Sequence, residues 1–162
     1  MATMLRGVPV QQEPKLKNRF ELQFPQELDI PSYLVQTSGR PELEIEPIKT
    51  GYMNGYHYSQ GKYNWGTIEV KFIDLIGPST SQKLMEFVRL HTESLTGRQG
   101  YAAGFKKDII INTLDPTGVT IEVWKLYECM IINAKFDENT YDEGAILMPT
   151  LTLQPAYCEL SY

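Results

Sequence analysis

The residues best suited to catalysis or metal binding are few and scattered along this chain. His57 lies in a tyrosine-rich stretch and His91 on a predicted helix, and the two do not form a pair at helical spacing. We interpret them as a solvated and a packed histidine, respectively. Cys129 and Cys158 occur in alternating apolar runs without a paired spacing, which favours two small core residues over a disulfide or a metal site.

An acidic stretch, 137–143, carries carboxylates that could bind calcium. The ordered calcium-loop pattern with its central glycine is absent, so a solvated acidic turn is the better interpretation. The chain also lacks a phosphate-binding Gly-Lys-Ser/Thr motif, a serine nucleophile elbow and a zinc pattern. We therefore expect no catalytic residues, no cofactor and no metal, and we expect that the protein is not an enzyme.

The most unusual stretch is instead 51–66, which has four Tyr and one Trp. Large aromatic side chains are favoured anchors at protein interfaces. One interpretation is a long hairpin that reaches another molecule; the alternative is a hairpin folded back on its own sheet. The predicted contact residues of this aromatic hairpin are Tyr52, Met53, Asn54, Tyr56, Tyr58, Tyr63 and Trp65.

Two strands are predicted on either side of the aromatic stretch. Residues 42–46 alternate strictly, with acids on one face and Leu43 and Ile45 on the other, which is typical of a half-buried strand. Residues 67–72 repeat the pattern, with Ile68, Val70 and Phe72 on the apolar face.

A single amphipathic helix is predicted over about 79–95, after the break at Gly77 and Pro78. Ser79 or Ser81 can cap its first turn. Its core stripe follows the i, i+3, i+4, i+7 spacing and comprises Leu84, Phe87, Val88, His91 and Leu95. This stripe should cover a face or an end of a sheet.

The rest of the chain reads as short strands separated by turns. Strands are expected at 19–24, 33–37 and from 109 onward, with a long loop at 96–107 and a hairpin turn at 115–118. Val119, Ile121 and Val123 alternate as an apolar face, and their parity slips near Trp124, which predicts a bulge there. A closing strand spans 145–153, where Pro149 suggests an edge position or a bulge.

Composition places the chain among mainly β domains. Its 162 residues predict a single domain over 1–162, and a net charge of −5 argues against binding that neutralises nucleic-acid phosphates. No apolar run is long enough to span a membrane, and we expect a soluble protein made in the host cytoplasm. Two terminal arms, 1–17 and 154–162, either exchange with neighbouring subunits or remain unstructured.

The order of these parts resembles the tail tube proteins of contractile-tailed, T4-like bacteriophages. The resemblance is carried by residues 18–24, 39–48, 51–54, 65–70 and 124–127, followed by an acidic turn and a closing strand. Related tube proteins occur in pyocins and in type VI secretion. The resemblance implies a two-sheet antiparallel β-sandwich or barrel with one flanking helix. It also implies hexameric rings that stack into a hollow tube, with the hairpin 51–66 reaching the next ring.

The same resemblance implies the partners and location of the protein. It implies a virion protein whose partners are the sheath, tape-measure, baseplate and tail-terminator proteins, and whose lumen DNA crosses without specific binding. Acidic side chains suited to that lumen are Glu42, Glu44, Glu46 and Glu69. Three alternatives stay open: a tube-initiating or hub-like ring, the tube of a phage-derived injection system, and a monomeric β-barrel that binds a ligand or peptide.

Overall fold

A computed structural model describes residues 13–162. Its nine strands are β1 (Phe20–Gln23), β2 (Val35–Ser38), β3 (Leu43–Tyr52), β4 (Gly55–Trp65), β5 (Ile68–Phe72), β6 (Lys107–Leu114), β7 (Thr120–Lys135), β8 (Thr150–Gln154) and β9 (Tyr157–Ser161). Its helices are α1 (Thr80–His91) and α2 (Ala102–Phe105), with short 3-10 turns at Gln26–Leu28 and Ser32–Leu34. The mainly β fold with two antiparallel sheets is confirmed.

Seven strands form the sandwich, whose two halves share one long strand, β7, while β3 and β4 form a separate two-stranded sheet. The first half of β7 pairs with β6 on one side and β9 on the other, and β1 completes that sheet beyond β6. The second half of β7 pairs with β8, followed by β5 and β2. Glu128 has a left-handed φ of 51° at the register shift between the halves, so one extra residue bends β7 from one sheet into the other. The predicted bulge exists, but it lies after Trp124 and Leu126.

Buried aliphatic and aromatic side chains from both sheets meet between them. Ile68, Val70 and Phe72 are almost completely buried, as the alternation of 67–72 predicts. Leu22 from β1 and Leu126 from β7 are buried in the same core cluster. Burying each such side chain contributes about 1.5–3 kcal/mol, so this core holds the two sheets together.

Helix α1 covers the core through Leu84 and Phe87, both fully buried. Ser79 caps the helix by accepting a hydrogen bond from the Gln82 amide at 3.4 Å. Val88 is partly buried, and so is His91, which stacks on the Phe105 ring of α2 with the centroids 4.5 Å apart. Four of the five predicted stripe residues therefore lie on α1, and two of them are in the core.

The predicted end of this helix is wrong. The chain leaves the helix at Thr92, which takes an extended conformation and pairs with Gln99, so Leu95 lies beyond the helix and is 94% exposed. The region 96–107, predicted as a loop, contains α2 and the beginning of β6.

Four further predictions also require correction. Residues 157–161 are not a loose arm, because they form β9 against β7. Strand β8 lies between β5 and β7 and is therefore internal; Pro149 precedes it and supplies a carbonyl to the Phe72 amide. Val119 and Ile121 do not belong to a buried apolar face, because both are exposed. The predicted strand at 33–37 begins with the 3-10 turn and becomes β2 at Val35. Most of the predicted arm at 1–17 lies outside the described residues.

Candidate functional site

The most exposed regular element is the hairpin β3–β4, which forms its own two-stranded sheet. It is longer than the predicted excursion 51–66, because the alternating run 43–46 and the tyrosine-rich run belong to the same ladder. All ten residues of β3 are exposed. Leu43 and Ile45 are 46% and 47% exposed, so the expected half-buried strand at 42–46 is not half-buried within this chain.

Pairing register gives the hairpin two chemically different faces. Ile45 lies opposite Tyr63, Lys49 opposite Tyr58, and Leu43 opposite Trp65. Because directly paired residues share a face and alternate residues repeat it, one face is dominated by aromatic and aliphatic groups. This aromatic face comprises Leu43, Ile45, Pro47, Lys49, Tyr56, Tyr58, Gln60, Tyr63 and Trp65, with Gly51 at its outer end.

A bulge keeps the tyrosines of β4 on one face. Between the pairs Ile45–Tyr63 and Pro47–Gln60, β4 has one more residue than β3. Tyr56 and Tyr58 have even numbers whereas Tyr63 and Trp65 have odd numbers, and the extra residue converts one parity into the other. Gly61 lies in this bulge, where a Cβ atom would be 2.2 Å from the Glu46 carbonyl oxygen. The bulge therefore requires glycine.

The aromatic face is open to solvent in the isolated chain. Tyr56, Tyr58 and Tyr63 are 63%, 59% and 63% exposed, and the Lys49 ammonium lies 3.6 Å from the centre of the Tyr56 ring. Trp65 is partly buried, and its carbonyl accepts a hydrogen bond from the Gln154 side chain at 2.7 Å, which fastens the hairpin base to β8. Tyr52, Met53 and Asn54 lie at the hairpin tip, where all three are exposed.

The predicted lumen acids lie in two places. Glu44 and Glu46 have the opposite parity to Ile45, so they occupy the other face of the hairpin, with Glu42 just before β3. Glu69 lies on the outer, solvent-facing side of β5, 3.8 Å from the Lys71 ammonium. The structure thus places Glu44 and Glu46 on the hairpin face opposite the aromatic residues, while Glu69 lies on the sandwich.

Sequence reasoning missed several members of this surface. Sequence periodicity places Leu43 and Ile45 on a separate strand and gives Pro47 and Lys49 no role. In the structure, all four share the face with the tyrosines. The parity change between Tyr58 and Tyr63, with Gly61 between them, was the signal that a bulge joins both runs into one face.

Two of the potentially reactive side chains, His91 and Cys129, have structural roles. His91 Nδ1 lies 3.1 Å from the Phe87 carbonyl, and its Nε2 accepts a hydrogen bond from the Ile131 amide at 3.0 Å. Burial lowers the pKa of His91, which favours this neutral, packed histidine. Burial also raises the pKa of the Cys129 thiol to about 12, so it packs as an apolar group. His57 is exposed.

The acidic stretch is an ordered loop. The Asp137 carboxylate accepts hydrogen bonds from the amides of Glu138 and Met148 at 3.0 and 2.9 Å. Within residues 13–162, no three His, Cys, Asp or Glu side chains are grouped closely enough to hold a metal ion. Nor is any helix in that range long and apolar enough to cross a membrane.

Comparison with known proteins places this geometry in a recognised architecture. No family model matches the chain, and no curated protein matches it. A chain in the structure of the anti-feeding prophage cap, described as a tube-terminating cap, matches with a TM-score of 0.74 at 15% identity over 99% of both chains. The fold is that of tube-related proteins of contractile injection systems.

Two further structures agree. A chain in the sheath/tube terminator of PVC, an extracellular contractile injection system, matches with a TM-score of 0.74 at 14% identity, over 94% of this chain and 99% of that one. A chain in the PVC sheath–tube complex matches with a TM-score of 0.73 at 14% identity, over 93% of both chains. The resemblance expected from the sequence is confirmed at the level of the fold.

Proposed function

We propose that this chain is a non-enzymatic structural subunit of the inner tube of a contractile tail. Its copies form hexameric rings, and the rings stack into a hollow tube. The observation that carries the proposal is the aromatic face of β3–β4, an extended apolar surface that the subunit leaves uncovered. An isolated two-stranded hairpin is marginally stable in water, so a neighbouring surface is needed to hold it.

The aromatic face contacts the neighbouring ring in this proposal. Tyrosines supply large contact area at low entropy cost, and an exposed apolar patch of this kind marks an interaction surface. The base of the hairpin is fastened to its own subunit through Gln154, while its tip at Met53 and Asn54 reaches outward. This arrangement suits a projection that joins one ring to the next.

The acidic faces line the lumen in this proposal. Glu44 and Glu46 lie behind the aromatic face, so covering that face with a neighbour leaves the two carboxylates accessible. Glu42 and Glu69 add further charge, and each subunit has a formal net charge of −5. A negative wall repels phosphates, which lets DNA pass without binding. A measured lumen potential that is positive would contradict this.

The remaining partners follow from a tube with this organisation. A sheath surrounds the tube, a tape-measure protein occupies it before DNA passes, and baseplate and terminator proteins bound its ends. The particle is a phage virion in this proposal; the corresponding tube of a phage-derived injection system would place the same contacts in a secreted particle.

A second candidate is a ring that terminates or initiates the tube. Two of the matched chains come from terminal components, the anti-feeding prophage cap and the PVC sheath/tube terminator. Each matches with a TM-score of 0.74, which favours this candidate. A terminal ring assembles once and does not polymerise. Filament growth by the purified chain therefore separates a repeating subunit from a terminal ring.

Sedimentation of paired hairpin variants tests the proposal. Tyr56→Ser combined with Tyr58→Ser and Tyr63→Ser should leave a folded subunit that no longer stacks, because the apolar contact is lost. The matched control changes the opposite face through Glu44→Gln and Glu46→Gln, which should stack normally. Stacking that survives the tyrosine changes, or a wild-type chain that remains monomeric as the ligand-binding alternative requires, would contradict the proposal.

A further inference from the structure

A cleft of about 560 Å³ opens where the two sheets separate. It lies between β1 and β2, which are the two ends of the six-strand path β1-β6-β7-β8-β5-β2 and do not pair with each other. Phe20 and Ile111 contribute apolar lining, while Gln36 and Ser38 form the β2 side. Among residues 13–162, the facing edges of β1 and β2 have no strand partner, so the cleft is an open seam of the sandwich.

The mouth of this cleft is basic. Lys15, Lys17, Arg19 and Arg40 all line it. Glu122, 5% exposed, binds Lys15 and Arg40 and accepts a hydrogen bond from the Trp124 indole at 2.9 Å. Within the described part of the chain, Lys17 and Arg19 have no carboxylate within ion-pair distance, and residues 1–12 contain no Asp or Glu. The side chains of Lys17 and Arg19 therefore give the mouth of the cleft a net positive charge.

An exposed acidic loop on the same chain has the complementary chemistry. Residues 137–149 include Glu138, Asp142 and Glu143 but no Lys or Arg. Tyr141, beside these acids, is fully exposed, and both ends of the loop are fixed by the bonds to Asp137. The loop therefore exposes the Tyr141 ring between acidic residues, and hydrogen bonds to Asp137 fix both ends of the loop.

We infer that the cleft receives Tyr141 and its flanking carboxylates from a second copy of this chain. The inference rests on the proposed function and names one contact within its rings. The cavity volume lies in the range that accepts a small aromatic group, and the charges at its mouth match the acids beside Tyr141. Because the cleft and loop are different surfaces, the contact is head-to-tail and can close into a ring.

Two other exposed aromatic residues, Tyr101 and Tyr52, have less suitable surroundings. Tyr101 is 92% exposed but lies near Arg98, Lys106 and Lys107, which would repel a basic cleft. Tyr52 at the hairpin tip has Lys49 nearby and no acid within five positions on either side. Charge complementarity therefore favours the acidic loop over these two sites.

Charge reversal and mixing test this contact in the full-length chain. Variant P carries Lys17→Glu and Arg19→Glu, and variant Q carries Asp142→Lys and Glu143→Lys. Each alone juxtaposes like charges at every contact, so the concentration needed for ring formation should rise about tenfold or more. Mixed P and Q should regain assembly as alternating rings, because each loop then meets a cleft of opposite charge. The chain with all four substitutions should also assemble.

Sedimentation velocity measures each case beside a control with Arg89→Glu and Arg98→Glu, which makes the same charge change as P on another surface. Normal assembly of P or Q would overturn the inference, as would failure of the mixture and the fourfold variant to recover. A wild-type chain that never forms rings would instead contradict the proposed function. If the wild-type chain forms rings and variants P and Q assemble as well as it does, only the cleft contact is contradicted.

Discussion

Two regions with the same sequence pattern have opposite environments. Ile68, Val70 and Phe72 alternate along β5 and are almost fully buried, whereas Leu43 and Ile45 alternate along β3 and remain nearly half exposed. Alternation reports that one side of a strand is apolar, but it does not report which molecule covers that side. In β5 the cover is the chain's own sandwich; in β3 we propose that it is another subunit.

The largest expected effect is in the core. Phe87→Ala should reduce the free energy of unfolding by about 3–5 kcal/mol, since it removes a fully buried ring beneath α1 and leaves a cavity. Leu84→Ala should add a further loss. Urea unfolding measures both. As a matched aromatic control, Tyr58→Ala on the hairpin should change stability by less than about 1 kcal/mol.

If Phe87→Ala and Tyr58→Ala reduced the free energy of unfolding equally, the proposed difference between the two regions would be wrong. Equal losses would mean that the hairpin contributes to the stability of its own subunit as much as the core helix does.

A second prediction concerns the bulge that aligns the aromatic face. In Gly61→Ala, the added Cβ would overlap the Glu46 carbonyl oxygen, so the upper hairpin must lose its register. Hydrogen exchange should accelerate at β3 and β4 amides while core amides stay protected, and ring stacking should weaken. The control is Gly51→Ala, where the added Cβ meets nothing within 4 Å. Unchanged exchange at β3 and β4 would show that the bulge is not required.

A smaller effect is expected from the buried carboxylate of Glu122. The hydrogen bond from Lys15 lowers the pKa of Glu122 most; Trp124 and the charges of Arg40 and Lys15 also lower it, while burial opposes them. A lowered pKa in the folded state adds stability above the ordinary carboxyl pKa, and this is lost as the pH falls through the folded value.

Glu122→Gln should therefore cost about 1–2 kcal/mol at neutral pH, and the cost should diminish toward pH 3. Urea unfolding between pH 3 and 7 measures this difference. A cost that does not vary with pH would mean that the ion pairs contribute nothing to stability. Glu143→Gln, an exposed acid in the loop 137–149, is the control.

Much of the core could be predicted from sequence because local periodicity decides it. The apolar sides of β1 and β5 and the first two turns of α1 follow from spacing alone, as Leu22, Val70 and Leu84 demonstrate. Helix α1 ends before Leu95 because Thr92 pairs with Gln99, a contact that spacing within the helix does not reveal.

The misses depend on partners that are remote in sequence. The spacing within 154–162 predicts a loose arm, whereas residues 157–161 pair with β7, and Tyr127 stacks on Tyr157 across that pair. Glu122 is buried because Lys15 and Arg40 converge on it from distant positions. On the hairpin, the aromatic residues could be named from composition, but their common face depends on the register at Gly61.

Electron microscopy of the purified full-length chain tests the central claim most directly. Rings around an open channel that stack into tubes are the predicted result, with rings but no stacks for the variant carrying Tyr56→Ser, Tyr58→Ser and Tyr63→Ser. Featureless single subunits at high concentration, or tubes of normal length from that variant, would contradict the account.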